Sequence, residues 1–158
     1  MREILFRGKR VDDGEWVVGS FAVASGRINH GKSYILATTS DFSYGDNGSR
    51  IRIGCWSEVD PDTVGQWTGL TDRHGVQVFE EDIVVSDEMQ AVVKFGRCGG
   101  VKNTEHEVGY MGFYLDSLDE KCKRYGLRDD IVYWHEEYGL EVIGNIHDNP
   151  ELLKGERA

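Results

Sequence analysis

Apolar and polar residues alternate along most of this chain, and a period of two is the mark of strands that put one face into a core. The pattern predicts an opening hairpin, Glu3 to Arg7 and Glu15 to Val23, turned by the small polar residues Asp12, Asp13 and Gly14. Tyr34 to Thr38 and Arg50 to Gly54 read as short strands on either side of SDFSYGDNGS, a stretch poor in apolar residues that suits a loop or a contact surface. Further on, VGQWTGLTDRHGVQVF forms two strand-like runs around Asp72, Arg73, His74 and Gly75, with Asp first and Gly fourth as a type I turn prefers.

Asp82 to Ser86 and Met89 to Phe95 form a second predicted pair across Asp87 and Glu88, with Val84, Val92 and Phe95 as candidate core residues. A glycine-rich break, GRCGGVKN, precedes an aromatic strand from Glu107 to Asp116. Leu118 to Tyr125 suits a short helix or an irregular segment, and Leu140 to Ile146 reads as a buried strand. Asn149 before Pro150 marks a helix start, because Asn can cap free N–H groups and Pro at the first position has none to lose. A one- or two-turn C-terminal helix should therefore pack Leu152 or Leu153 inward. The chain is expected to be mainly β, with an N-terminal β region over 1–62 and a second region over 63–158, or one continuous domain over 1–158. There is no internal repeat and no low-complexity tract.

Composition narrows the picture. At 158 residues, roughly 68 to 70% of the unfolded surface should leave water on folding, so a core forms without a metal or disulfide staple. The cysteines, Cys55, Cys98 and Cys122, are odd in number and make no CxxC pair, which argues against a disulfide framework or a zinc ribbon and for a reducing cytoplasm. MREILFRGKR is too charged for a signal-peptide core or a membrane span. Lys plus Arg number 18 against 28 for Asp plus Glu, a formal net charge of -10. Such a field repels nucleic acid and anionic membranes at long range.

Several segments together resemble one family. GQWTGLTDRHGVQVFEEDIV, residues 65–84, is similar to the signature of YopX-type phage and prophage proteins: an aromatic-Thr-Gly-Leu run, a polar turn, and an acidic corner leading into Asp-Ile-Val. MREILFRGK, the GFYL of residues 112–115 and EVIGNIHDNPELL agree with it, so the resemblance spans nearly the whole chain. It implies a largely β protein carried by a phage or prophage in a bacterial host, with a small SH3-like barrel in the C-terminal part. It brings no catalytic residues to transfer. One departure stands out: where such sequences often place Gly before Asp-Ile-Val, this chain has Glu81. If that position needs positive φ, the side chain costs on the order of 1 kcal/mol.

The candidate chemistry has a plain reading beside each active one. Glu80, Glu81 and Asp82 would need separated pKa values to act as an acid and base pair; as a turn, they keep charge at a β corner, with Asp82 accepting backbone hydrogen bonds. His106, His135 and His147 each lie beside carboxylates, but not at the HExxH spacing that puts two imidazoles on one helix face. His30 and His74 read as loop residues. Cys98, between Arg97 and two glycines, has the setting of an accessible thiol without an evident base nearby, and GRCGG lacks the Lys-Ser/Thr ending of a phosphate loop. Trp16, Trp56, Trp67, Trp134, Tyr110, Phe113 and Tyr114 can stack bases in a basic groove, yet the acidic balance favours core or protein interface.

The sequence accordingly assigns no catalytic, metal or cofactor residue and no cofactor. It points to a non-enzymatic cytoplasmic accessory protein acting through protein contacts, including homo-oligomer formation and a phage or host protein partner, without membrane or nucleic-acid partners. Two other classes stay open: nucleic-acid handling, or its converse, an acidic DNA mimic directed at a host DNA-binding protein; and a metal-dependent hydrolase built on His106, His135 or His147.

Overall fold

The computed structural model describes residues 3–25, 30–37, 42–44, 51–53, 56–86, 89–98, 109–119 and 129–154. The chain divides into two compact units, Met1–Trp67 and Thr68–Ala158. Its class is mainly β, as the alternating pattern predicts. The small SH3-like barrel that the resemblance implies for the C-terminal part is not seen: among the described residues no sheet closes into a barrel.

In the first unit, β1 (Phe6–Lys9), β2 (Trp16–Val23), β3 (Ser33–Ala37) and β6 (Trp56–Val59) pair antiparallel in the order β6-β3-β2-β1, and the start of β7 (Gly65–Thr71) adds beside β1. A separate ribbon joins β4 (Phe42–Tyr44) to β5 (Ile51–Ile53). The opening hairpin has the expected partners, although β1 begins later than the apolar run Ile4–Phe6 suggests: Phe6 pairs with Gly19 and Lys9 with Trp16. Asp13 sets the turn, accepting from Glu15 N at 3.1 Å and from the Arg10 guanidinium. An isolated bridge from Arg10 to Val59 curls the sheet around buried Ile35 and Val59.

In the second unit, the end of β7 and β8 (Gln77–Phe79) form a hairpin, and β9 (Asp82–Val85), β10 (Gln90–Cys98), β11 (Tyr110–Ser117), β12 (Asp129–Asp130) and β13 (Glu141–Asn145) form an antiparallel sheet in the order β12-β11-β10-β9-β13. Apolar side chains from both layers meet in one core of Val78, Val84, Met89, Ala91, Val93, Leu115, Ile131 and Leu140. β9 lies between two neighbours, so Asp-Ile-Val is buried along its length.

Four further expectations need correction. Phe95 is half exposed, because the β10–β11 ribbon runs past the core that covers Val93 and Leu115. The strand after Leu140 is only partly buried: a bulge between Val142 and Gly144 leaves Ile143 outside the pairing with β9 and exposed. The short C-terminal helix forms as a 3-10 turn, Pro150–Lys154, with Leu152 half-buried and Leu153 exposed, but the Asn149 carboxamide oxygen expected to cap it turns back to accept from Asn145 N at 3.3 Å. Finally, an α-helix, α1 (Ile131–Tyr138), occupies a stretch to which the alternation assigned nothing. Asp130 caps it by accepting from Val132 N at 2.8 Å, and Gly139, with φ of 63°, ends it. The expectations for Leu118 to Tyr125 beyond residue 119, and for residues 99–108, lie outside the described residues.

Candidate functional site

The acidic corner joins β8 to β9, neighbours in sequence that belong to different sheets. Asp82 is 1% exposed, and its carboxylate accepts from Phe79 N at 2.7 Å across the turn. Glu81 has φ of 68°, the left-handed region that only this non-glycine residue occupies among the described residues. Its backbone is held on both sides: its N–H donates to Val93 O at 2.8 Å and its carbonyl accepts from Ile146 N at 3.1 Å. The side chain then reaches His147, whose Nε2 lies 2.6 Å from Glu81 Oε2. Asp82 thus closes the turn and Glu81 fastens it to its neighbours, and Glu81 carries the strain that its replacement of Gly implies.

His147 belongs to a second knot of bonds. Asn145 Oδ1 accepts from His147 N at 3.0 Å and Asp148 N at 2.9 Å, while its amide donates to Asp148 at 2.9 Å. The chain passes so close here that a Cβ on Gly144 would fall 2.4 Å from Asn149 Oδ1. The GNIHDNP run therefore folds as a compact turn fastened to the corner by the Glu81–His147 pair.

Asp72 opens the β7–β8 turn and serves two elements. One carboxylate oxygen accepts from His74 N at 2.8 Å and Val76 N at 2.9 Å, closing the turn; the other accepts from Val142 N at 3.1 Å, tying it to β13. The expected Asp-to-Gly bond is present, Gly75 N to Asp72 O at 3.0 Å, with Gly75 at φ of 83°. Burial alone would raise the Asp72 pKa, but the bonds from Val142, Val76 and His74, with the nearby His74, outweigh it and hold the carboxyl below its ordinary value. Arg73 beside it pairs with Glu141.

The histidines are used separately. His135 donates Nε2–H to Thr71 O at 2.7 Å, fastening α1 to β7, whereas His147 serves the corner. His106, Cys55 and Cys122 lie outside the described residues, as does the Cys98 side chain. Among the described residues no group of three metal-ligating side chains comes together.

In the first unit, Phe6 and Phe21 pair with rings 5.4 Å apart, and Trp16 and Trp56 have settings of their own. Lys9 and Trp16 are cross-strand partners, and Arg7 lies on the same sheet face; the Arg7 guanidinium carbon is 4.7 Å and Lys9 Nζ 5.5 Å from the Trp16 ring centroid. Trp56 is exposed and meets Tyr34 edge to face at 6.1 Å. Two surface hollows flank Trp56, one of about 360 Å³ lined by Ala22, Val23, Ala24 and Tyr34, the other of about 460 Å³ lined by Arg10, Val11, Asp12, Ser57 and Glu58.

In the second unit, aromatic side chains meet one another on the ribbon and on α1. Phe95 and Phe113 pair across β10 and β11 with rings 5.2 Å apart, and Met111, one step farther along the same face, is 65% exposed. Tyr133, Trp134 and Tyr138 cluster on α1. The helix was legible from an Asp cap, Ile131, Trp134 and Tyr138 at three- and four-residue spacing, and a terminal Gly.

The family model described as YopX protein matches residues 6–154, which takes in the corner, the Asp72 turn, α1 and the GNIHDNP knot. The chain belongs to the YopX family. This YopX protein is also similar to a solved structure, the crystal structure of protein EF1440 from Enterococcus faecalis: identity is 25%, the match covers 97% of this chain and 99% of that one, and the TM-score is 0.52. No curated protein matches the YopX chain. None of its described helices is long and apolar enough to cross a membrane.

Proposed function

We propose that this YopX protein is a non-catalytic accessory protein of phage or prophage origin, working in the bacterial cytoplasm through protein contacts that include self-association. One observation carries the reading: on the core-facing side of the β10–β11 ribbon, Phe113 still packs against the core, but Phe95 and Met111 run past it and stand 50% and 65% exposed. A rigid strand pair that holds apolar side chains in water has area to bury against another surface at little entropic cost. The polar groups offer less: Asp72, Asp82, His135 and His147 are all engaged in bonds that build turns or fasten one element to another. Sedimentation of the full chain over a concentration range tests the reading, with mass expected to rise with concentration.

A second reading, nucleic-acid handling, draws on the Arg7–Trp16–Lys9 arrangement, which puts cations beside an aromatic ring on one sheet face. It requires an affinity for single strands that falls steeply with salt in a gel-shift series and is lost in Trp16→Ala.

A further inference from the structure

On α1, Trp134 and Tyr138 lie ring against ring, 4.6 Å apart at 32°, and Tyr133 stands across them, 6.3 Å and 87° from Trp134 and 6.2 Å and 70° from Tyr138. Trp134 also packs on the core, which fixes the cluster in place, while Tyr133 is 55% and Tyr138 42% exposed. The fold gains little from holding these two tyrosines in water.

Among the described residues of α1, the charge beside them is negative. Glu137 is exposed, four residues after Tyr133 and three after Trp134, so on the helix surface it stands between the two rings. Glu136 is exposed on the other side of Tyr133. The basic group of the helix, His135, donates to Thr71 O. Ring faces attract cations, and a guanidinium can stack on a ring and bond a carboxylate in the same plane, which a lysine ammonium cannot. A chain of net charge -10 also draws a basic partner at long range.

We propose that Tyr133, Trp134, Tyr138 and Glu137 form a docking surface for an arginine-bearing segment of a basic partner protein. This rests on the protein-contact reading above and specifies the partner's chemistry; the surface is built from residues other than Phe95 and Met111 of the ribbon.

The test uses the full chain and a fluorescently labelled peptide of alternating Arg and Gly, with Lys-Gly and Glu-Gly peptides as controls, followed by anisotropy. The Arg peptide should bind best, the Lys peptide several-fold more weakly, and the Glu peptide not at all. Tyr133→Ala and Glu137→Gln, both at exposed positions and checked for unchanged melting, should each weaken Arg-peptide binding by about two- to five-fold. Equal binding of the Arg and Lys peptides, equal binding by wild type and both variants, or no binding of the Arg peptide overturns the assignment. Sedimentation of the same samples keeps the two claims apart, since loss of peptide binding with intact self-association removes this surface and leaves the protein-contact reading standing.

Discussion

Glu81 Oε2 lies 2.6 Å from His147 Nε2, and the pair joins residues 66 apart in sequence at the corner where one sheet hands the chain to the next. The contact belongs to a residue whose backbone is left-handed, so the same position carries both a conformational cost and a bond that offsets part of it. Neither partner is fully buried, which limits the pair to about 1 kcal/mol or less.

Replacing Glu81 by Gly or by Ala separates these two effects. Both substitutions remove the carboxylate, but only Gly is at ease with φ of 68°. Glu81→Gly should be more stable than Glu81→Ala by about 1 kcal/mol, read from urea midpoints. Equal midpoints would show that the backbone there is not strained.

Asp72 predicts an acid limb. Its folded pKa is depressed, so its contribution to stability is complete above the unfolded value of about 3.9 and fades as pH falls through the lower folded value. Asp72→Ala, which removes three backbone acceptor bonds, should cost roughly 1 to 3 kcal/mol at about pH 7. That gap should narrow as the pH drops below about 3.9. Urea midpoints of both proteins across the acid range check it; a gap that stays constant contradicts the assignment.

Gly144→Ala should destabilise the C-terminal knot by about 1 to 3 kcal/mol, because the new methyl meets Asn149 Oδ1. In an Asn149→Ala background the offending oxygen is gone and only a 3.2 Å contact to the residue 149 Cβ remains. The penalty should shrink there, and a double-mutant cycle measures the coupling. Strict additivity would place the clash elsewhere.

Much of the β architecture was legible because local signals and tertiary packing agree. The Asp72–Gly75 turn shows this, since residue type, offset and the bond from Gly75 N to Asp72 O all point to one conformation. Asp82 was legible for the same reason, as a short acid beside a turn accepts the nearby N–H. Phe95 was not: alternation gives the face of a strand but not how far along it the cover extends, and Phe95 lies beyond the end of the core. Ile143 escaped because a bulge, which depends on pairing with β9, resets the period. The link from Asp72 to Val142 and that from Glu81 to His147 each join segments far apart in sequence, so composition and spacing cannot reveal them. The α1 helix was within reach, but strands on both sides and its short length hid its caps in an alternating background.

The central claim is that the apolar ribbon face serves contact between copies of this YopX protein. Sedimentation velocity of wild type beside a Phe95→Ser/Met111→Ser variant tests it, Phe95 being half and Met111 two-thirds exposed and neither belonging to the buried core. The account predicts a wild-type mass that climbs above that of a single chain as concentration rises, and a variant that stays monomeric with an unchanged melting profile. A wild type that is monomeric at every concentration, or a variant that assembles as wild type does, contradicts it.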